Sequence, residues 1–271
     1  MPELPEVETT RRGIEPHLLN QTITGAVVRQ GQLRWPVPRA LQKKIMGQKI
    51  HAVDRRGKYI LLKLDTGSLM LHLGMSGSLR ITDSATPPEK HDHIDLQFNS
   101  TQCLRLRDPR RFGSLHWITS DPMQHKLLKN LGPEPLCDVF DSEYLYNKSR
   151  KRKLAIKLFI MDSKVVVGVG NIYASEALFR AGIRPSRAAG KVSRKEYDRL
   201  TGVIKQVLQD AIRCGGTTLQ DFTNSEGKPG YFKQKLLVYD RKGQACIHCG
   251  TPIKHRVMGQ RATYYCPNCQ L

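Results

Sequence analysis

The chain has 271 residues, enough to bury one large core or two modest ones. Hydrophobic residues make up 39% and charged residues 25% of it, and no apolar run approaches the ~20 residues that span a bilayer, so membrane-spanning functions are set aside. Lys plus Arg number 44 against 24 Asp plus Glu, a formal charge of +20, so the expected partner is a polyanion. No Lys-rich amphipathic helix with a Trp/Phe/Leu face is present, which favours nucleic acid over an anionic membrane and leaves a merely basic soluble protein as the plain alternative.

The first twenty residues carry Glu3, Glu6, Glu8, Arg11 and Arg12 where a secretory signal needs an unbroken apolar stretch, so a cytoplasmic location is expected. Leu4, Val7, Ile14 and Leu18 recur at helical spacing and predict a short helix from residue 3 to about 18. From about 24 to 118 the pattern changes to short β-prone runs. KYILLKL is followed by the turn Asp65-Thr66-Gly67 and SLMLHL, and HIDLQF by Asn99-Ser100 and CLRLR, which predicts an antiparallel sheet domain.

After Gly132-Pro133-Glu134-Pro135 the chain turns helical. Residues 147–157 hold Lys148, Arg150, Lys151, Arg152, Lys153 and Lys157 without an acid, a run that as a solvated face needs no function. It precedes Gly168-Val169-Gly170-Asn171, where Asn171 is expected to be the N-cap of the next helix, and backbone N–H groups at such a start bind phosphate. A dinucleotide fingerprint is disfavoured because Tyr173 stands where the third glycine would be. Ser193 and Glu196 form a capping box ahead of Leu200, Val203, Ile204, Val207, Leu208, Ala211 and Ile212, an amphipathic core helix that Gly215-Gly216 should stop. Asn224 to Gly230 reads as a mobile linker.

Seven cysteines without a secretion signal argue against a disulfide framework. Cys103, Cys137 and Cys214 stand alone and read as ordinary buried thiols. Cys246-x2-Cys249, sixteen residues, then Cys266-x2-Cys269 is the paired-knuckle spacing of one structural Zn2+. Four thiolates close its coordination shell, so the metal should hold structure without doing chemistry, while His248 and His255 are expected to face solvent or phosphate. Between the knuckles, Lys254, His255, Arg256 and Arg261 with Tyr264 and Tyr265 read as a basic hairpin, which suits a binding module as well as an enzyme.

The chain opens Met1-Pro2-Glu3-Leu4-Pro5-Glu6, and trimming of Met1 would leave a secondary amine. A terminal amine has a reference pKa of about 7.7–8.0 against about 10.4 for lysine, so far more of it is neutral and nucleophilic at pH 7. Physics alone still favours an acidic helix start with prolines at tolerated positions.

PELPEVET at the N-terminus, RRGKY at 55–59, HLGMSG at 72–77, DPRRFG at 108–113, GVGNIYASE at 168–176 and the terminal zinc knuckles together resemble bacterial formamidopyrimidine-DNA glycosylase, in family order over essentially the whole chain. The resemblance implies an α+β protein: an N-terminal antiparallel β-sandwich with flanking helices (1–134), a helix-two-turn-helix domain (135–223), and a lesion loop with a four-cysteine zinc finger (224–271), with DNA held in the cleft between lobes. It implies a glycosylase and AP lyase of base-excision repair, working as a nucleoid-associated monomer on duplex DNA that contains oxidised purines or abasic sites, with no catalytic cofactor. An endonuclease VIII-like enzyme, which prefers oxidised pyrimidines, shares the architecture.

By the same resemblance Pro2 is the nucleophile that forms a Schiff base at C1′, and Glu3 a general acid suited to a carboxyl raised by partial burial. Lys58 donates a proton linked to β-elimination, and Arg261 holds the phosphate beside the lesion and serves the second elimination. Met75, Arg110 and Phe112 match the family's wedge into the emptied base stack, while His91, Arg110, Arg152 and Asn171 match its DNA contacts. Thr217 to Tyr231 supplies the loop that closes on the extruded base.

Overall fold

Helix α1 (Leu4–Leu18) starts where the sequence pattern places it because Glu3 and Glu6 cap it reciprocally. The Glu3 carboxylate accepts from the Glu6 backbone N–H, and Glu6 Oε2 accepts from the Glu3 N–H at 2.8 Å. Its stripe of Leu4, Val7, Ile14 and Leu18 is buried, as the spacing predicts. The computed structural model describes residues 2–217 and 235–271. The linker expected at 224–230 lies outside the described residues, as does all of the expected closing loop beyond Thr217. No helix among them is long and apolar enough to cross a membrane.

The described residues form two units, one of 2–129 with 214–217 and one of 130–213 with 235–271. In the first, the strands are β1 (Ile23–Val28), β2 (Ala52–Arg56), β3 (Tyr59–Lys63), β4 (Ser68–His72), β5 (Ser78–Asp83), β6 (Asp92–Phe98), β7 (Gln102–Arg107) and β8 (Ser114–Ile118), with the short helix α2 (Leu41–Ile45) after β1. They make two antiparallel sheets, ordered β1-β6-β7-β5 and β2-β3-β4-β8. Leu79, Ile94, Leu96, Leu104 and Leu106 of one sheet and Val53, Ile60, Leu62, Leu69, Leu71 and Leu115 of the other share one core with Val7, Ile14 and Leu18 of α1. Period-two alternation sends these residues inward and their neighbours outward, which is what makes two sheets a sandwich. The antiparallel sandwich with a flanking helix is therefore present as expected.

The second unit holds α3 (Ser142–Ser149), α4 (Ile156–Met161), α5 (Asn171–Arg180) and α6 (Arg194–Arg213), followed by a hairpin of β9 (Lys254–Met258) and β10 (Arg261–Tyr265). The predicted box caps α6: Glu196 N–H donates to Ser193 Oγ at 3.3 Å and Ser193 N–H to Glu196 Oε2 at 2.8 Å. Burial would raise the Glu196 carboxyl, but hydrogen bonds from Arg187 and Ser193 outweigh it and hold it down at about 2. Gly215 and Gly216, at φ +74° and +83°, take the left-handed turn that ends the helical run.

Of the three solitary cysteines only Cys103 is buried, and burial pushes its thiol up. Cys137 and Cys214 are half-buried instead, because each sits in a connection outside the core, Cys137 on a turn whose Glu134 carbonyl takes its Sγ–H at 3.0 Å.

Alternation also places Met70, His72 and His116 on the face of β4 and β8 opposite the core residues Leu69, Leu71 and Leu115. Burial, then the nearby charges of Lys58 and Arg34 and the His116 ring, push His72 down to about 4; burial and then His125 and Lys126 do the same to His116. His125, its ring 5.5 Å from that of His116, is lowered too by burial and Lys126. The His72 and His116 rings are thus neutral in the fold at pH values where an unfolded chain, with an imidazole near 6.5, is protonated. The thermal midpoint should therefore fall as pH drops from about 6.5 to about 4, the unfolded state binding the extra protons in that window. His72→Asn, which keeps an acceptor where Nδ1 stood, should flatten part of that slope in a calorimetric series.

Candidate functional site

Pro2 is buried immediately before the capped start of α1, and the neighbouring Glu3 is only 3% exposed. Glu6 fixes this end of the chain from both sides: besides the Glu3 N–H, its Oε1 accepts from the Thr217 N–H at 2.8 Å. A Cβ on Gly216 would lie 3.1 Å from that same carboxylate oxygen, so the glycine permits the approach. Helix α1 packs on β2, β3 and β5. The β2–β3 turn holds Gly57 at φ +57° and then Lys58, which is half-buried and close enough to depress His72. Arg55 ties helix to turn, with Nε donating to Glu8 at 2.9 Å and a terminal nitrogen to the Gly57 carbonyl at 2.9 Å. Sequence reasoning missed Glu6, Glu8 and Arg55; the dense acid-base pairing of α1 with RRGKY was the only signal available.

In the same unit the Gly74–Gly77 turn presents Met75, half-buried, and the β7–β8 connection presents Arg110 and Phe112, both exposed, with the Arg110 guanidinium 5.0 Å from the Phe112 ring centroid. Neutral His72 serves the turn directly, its Nδ1 accepting from the Gly74 N–H at 3.0 Å. His91 is half-buried at the entry to β6. The first unit therefore carries Pro2, Glu3, Lys58, Met75, His91, Arg110 and Phe112.

The second unit carries Arg152, Asn171, Arg261 and the four cysteines. Arg152 is exposed after α3, flanked by exposed Lys151 and Lys153. Two other members of that cationic run depart from expectation. Arg150 lies 3.8 Å from the Tyr146 ring centroid and donates to the Val192 carbonyl at 2.9 Å, and Lys157 is fully buried. Lys157 stands on α4 among buried Ile156, Phe159 and Ile160, an apolar setting visible in AIKLFI that marks it as an interior cation. Its Nζ donates to Asn171 Oδ1 at 2.6 Å, the Ala262 carbonyl at 2.9 Å and Thr263 Oγ1 at 2.8 Å.

This also corrects the role expected for Asn171. Gly170 is the N-cap of α5 and Asn171 its first residue, because the Asn171 side-chain oxygen is engaged by Lys157 in place of the helix's own N–H groups. An ammonium only donates, so the oxygen faces it and the Nδ2 hydrogens are left to donate elsewhere. Glu176, fully buried on α5, accepts from the backbone N–H groups of Leu237, Val238 and Tyr239 at 2.9, 3.0 and 2.9 Å, and so fastens the approach to the cysteine pairs.

The four thiols converge. Their sulfur atoms all lie within 4.8 Å of one another, with Cys246 and Cys269 at 3.8 Å and Cys249 and Cys266 at 3.5 Å. A tetrahedral ion bound at ~2.3 Å requires sulfur edges of about 3.8 Å, so the set fits one structural zinc with no open position. Around it Phe179, Val238, Ile253, Cys246 and Cys266 make a small core, and exposed His248 stacks on Phe179 at 5.2 Å. His255 is exposed beside Tyr264. Arg261 is exposed at the first position of β10, right after the left-handed Gly259-Gln260 turn, and the Lys157 bonds to Ala262 and Thr263 fix the strand that carries it. A dye assay should find one zinc per chain and none in Cys249→Ala, whose far-UV signal from α3 to α6 should persist; unchanged zinc content would refute the four-thiolate assignment.

Three family models match the chain in order: the formamidopyrimidine-DNA glycosylase N-terminal domain over residues 1–115, the formamidopyrimidine-DNA glycosylase H2TH domain over 131–223, and the zinc finger found in FPG and IleRS over 243–271. The formamidopyrimidine-DNA glycosylase of Magnetococcus marinus is 59% identical over 273 residues, covering 100% of this chain and 99% of its own. Among solved structures, MutM (FPG) from Thermus thermophilus superposes with a TM-score of 0.89 at 38% identity, covering 99% of this chain and 98% of its own. A Lactococcus lactis FPG mutant in complex with Fapy-dG-containing DNA superposes with a TM-score of 0.92 at 34% identity, covering 99% of each chain. With these matches spanning nearly every residue, the chain belongs to the formamidopyrimidine-DNA glycosylase family.

Proposed function

We propose that the protein is a bifunctional DNA glycosylase and AP lyase of base-excision repair that removes oxidised purines, 8-oxoguanine and formamidopyrimidines, from duplex DNA through the amine of Pro2. The observation that carries this reading is the seating of the chain's own beginning: Pro2 is buried, and the residue after it is locked by the Glu3–Glu6 capping box. Residues this near a chain end are poorly ordered unless tied down, as Glu3 is here. The Lactococcus lactis complex with Fapy-dG-containing DNA, at a TM-score of 0.92, supports the substrate class.

In this mechanism the lone pair of the Pro2 nitrogen attacks C1′ and the bond from C1′ to the base breaks, the base leaving with a proton. Glu3 then protonates the sugar ring oxygen as the ring opens, giving an iminium between Pro2 and C1′. Loss of a C2′ proton expels the 3′ phosphate, and a second elimination expels the 5′ phosphate, which leaves a one-nucleotide gap. Lys58 supplies the proton associated with the first elimination, and Arg261 holds the phosphate for the second. Met75, Arg110 and Phe112 fill the gap left by the extruded base, with Arg110 hydrogen-bonding to the abandoned partner. His91, Arg152 and the Nδ2 amide of Asn171 hold the backbone phosphates.

The nitrogen has a usable lone pair only when it is an amine, because an amide delocalises it into the carbonyl. Borohydride should therefore trap a covalent adduct between 8-oxoguanine duplex and the chain that begins at Pro2, and none when Met1 is retained. Equal trapping by both forms, or faster turnover on thymine glycol than on 8-oxoguanine paired with cytosine, would defeat the reading.

A further inference from the structure

Asp108 is completely buried, at 0% exposure, between the two turns that carry the wedge residues. Its Oδ1 accepts from Ser76 Oγ at 3.1 Å, on the Met75 turn, and its Oδ2 accepts from the Gly113 N–H at 2.7 Å, at the far end of the Arg110–Phe112 turn. Ser76 Oγ in turn accepts from the Arg110 N–H at 3.3 Å, so the hydroxyl bridges both segments. The Asp108 backbone joins in as well. Its N–H donates to the His91 carbonyl at 3.0 Å, and its own carbonyl accepts from the Arg111 N–H at 3.2 Å and lies 2.9 Å from His93 Nε2.

The two turns touch backbone to backbone. A Cβ on Gly74 would come within 2.4 Å of the Phe112 carbonyl carbon, and one on Gly113 within 2.8 Å of the His72 oxygen and 2.9 Å of Asp108 Oδ2. Arg111 within the second turn is held at φ +55°, a left-handed conformation that a non-glycine residue keeps only where its surroundings impose it. Among the described residues the Asp108 carboxylate accepts only from neutral donors, although burying a charge this way is expensive. Stability alone is a poor reason to keep an acid there.

We propose that Asp108, through Ser76, is a positioning residue that locks the Met75 turn and the Arg110–Phe112 turn into one rigid wedge. The inference rests on the reading of those three side chains as the duplex wedge. Three side chains from two turns enter one gap in a base stack only if their separation is set beforehand, and a single carboxylate sets it here. Asp108→Asn replaces one of the two acceptor oxygens by an NH2 group, which has no lone pair for either Ser76 or Gly113. Ser76→Ala removes only the bridge.

The lock matters only where there is a stack to invade. On an 8-oxoguanine duplex, Asp108→Asn should lose about tenfold or more in kcat/KM, since small misplacements of this kind are costly in rate. It should also lose the fluorescence rise of a 2-aminopurine placed opposite the lesion. Borohydride trapping on a single-stranded abasic oligonucleotide, which has no partner strand, should stay near wild type. Ser76→Ala should show a smaller loss with the same pattern, and the double variant should be no worse than Asp108→Asn alone. If Asp108→Asn does not fold, Ser76→Ala decides by the same two substrates.

An Asp108→Asn chain that excises from duplex at the wild-type rate, or a folded variant that loses single-strand trapping in equal proportion, overturns the positioning role. A wild-type chain inactive on both substrates would instead sink the proposed function, and this inference with it.

Discussion

The capped start of α1 is the constraint from which the β2–β3 turn and β5 of the first unit are positioned. Termini fray because they have contacts on one side only. Here Glu6 accepts from the Glu3 N–H and the Thr217 N–H with one buried carboxylate, and the apolar stripe of α1 enters the sandwich core. Because α1 packs on β2, β3 and β5, the Lys58 turn and the strand that follows the Met75 turn are both measured from the same helix. Glu8 extends the arrangement. Burial alone would raise its carboxyl, but the guanidinium hydrogen bonds of Arg11, Arg12 and Arg55 outweigh that and keep it below the ordinary carboxylate value. Glu8 therefore stays ionised at neutral pH and holds the Arg55 bond to the Lys58 turn.

The second unit solves a different problem with the same means. The finger over residues 243–271 has too little apolar surface to order itself, and small modules need staples. The four-thiolate site is one staple, and two buried charges on neighbouring helices are the others. Lys157 of α4 grips β10 through Ala262 and Thr263, and Glu176 of α5 grips residues 237–239. A buried charge seldom stabilises more than an apolar residue of the same volume, so its advantage lies in fixing a single arrangement. That suits a hairpin whose exposed Arg261 is the residue proposed to hold the lesion phosphate.

The local elements were legible in the sequence because their signals are local. Helical spacing marked α1 and α6, Ser193 with Glu196 marked a capped start, alternation marked the strands, and the two Cys-x2-Cys pairs marked the metal set.

Charge alone misled where it had to. Lys157 and Arg150 look like Arg152 in a string of cations, yet one is the buried hub of its unit and one is stacked on a tyrosine, because inward or outward is decided by what the rest of the fold brings opposite. Asn171 read as a helix cap until an ammonium 14 residues earlier in the chain took its oxygen. Asp108 opens the DPRRFG motif, but nothing in the sequence showed its role, since its partners Ser76 and His91 are distant in sequence and meet it only when the strands pair. The sequence by itself marked α1, α6, the strands β3, β4, β6 and β7, and the paired cysteines. Only the tertiary structure decided which charges are spent on holding those residues still, because a side chain's partner across a core is set by packing rather than by spacing along the chain.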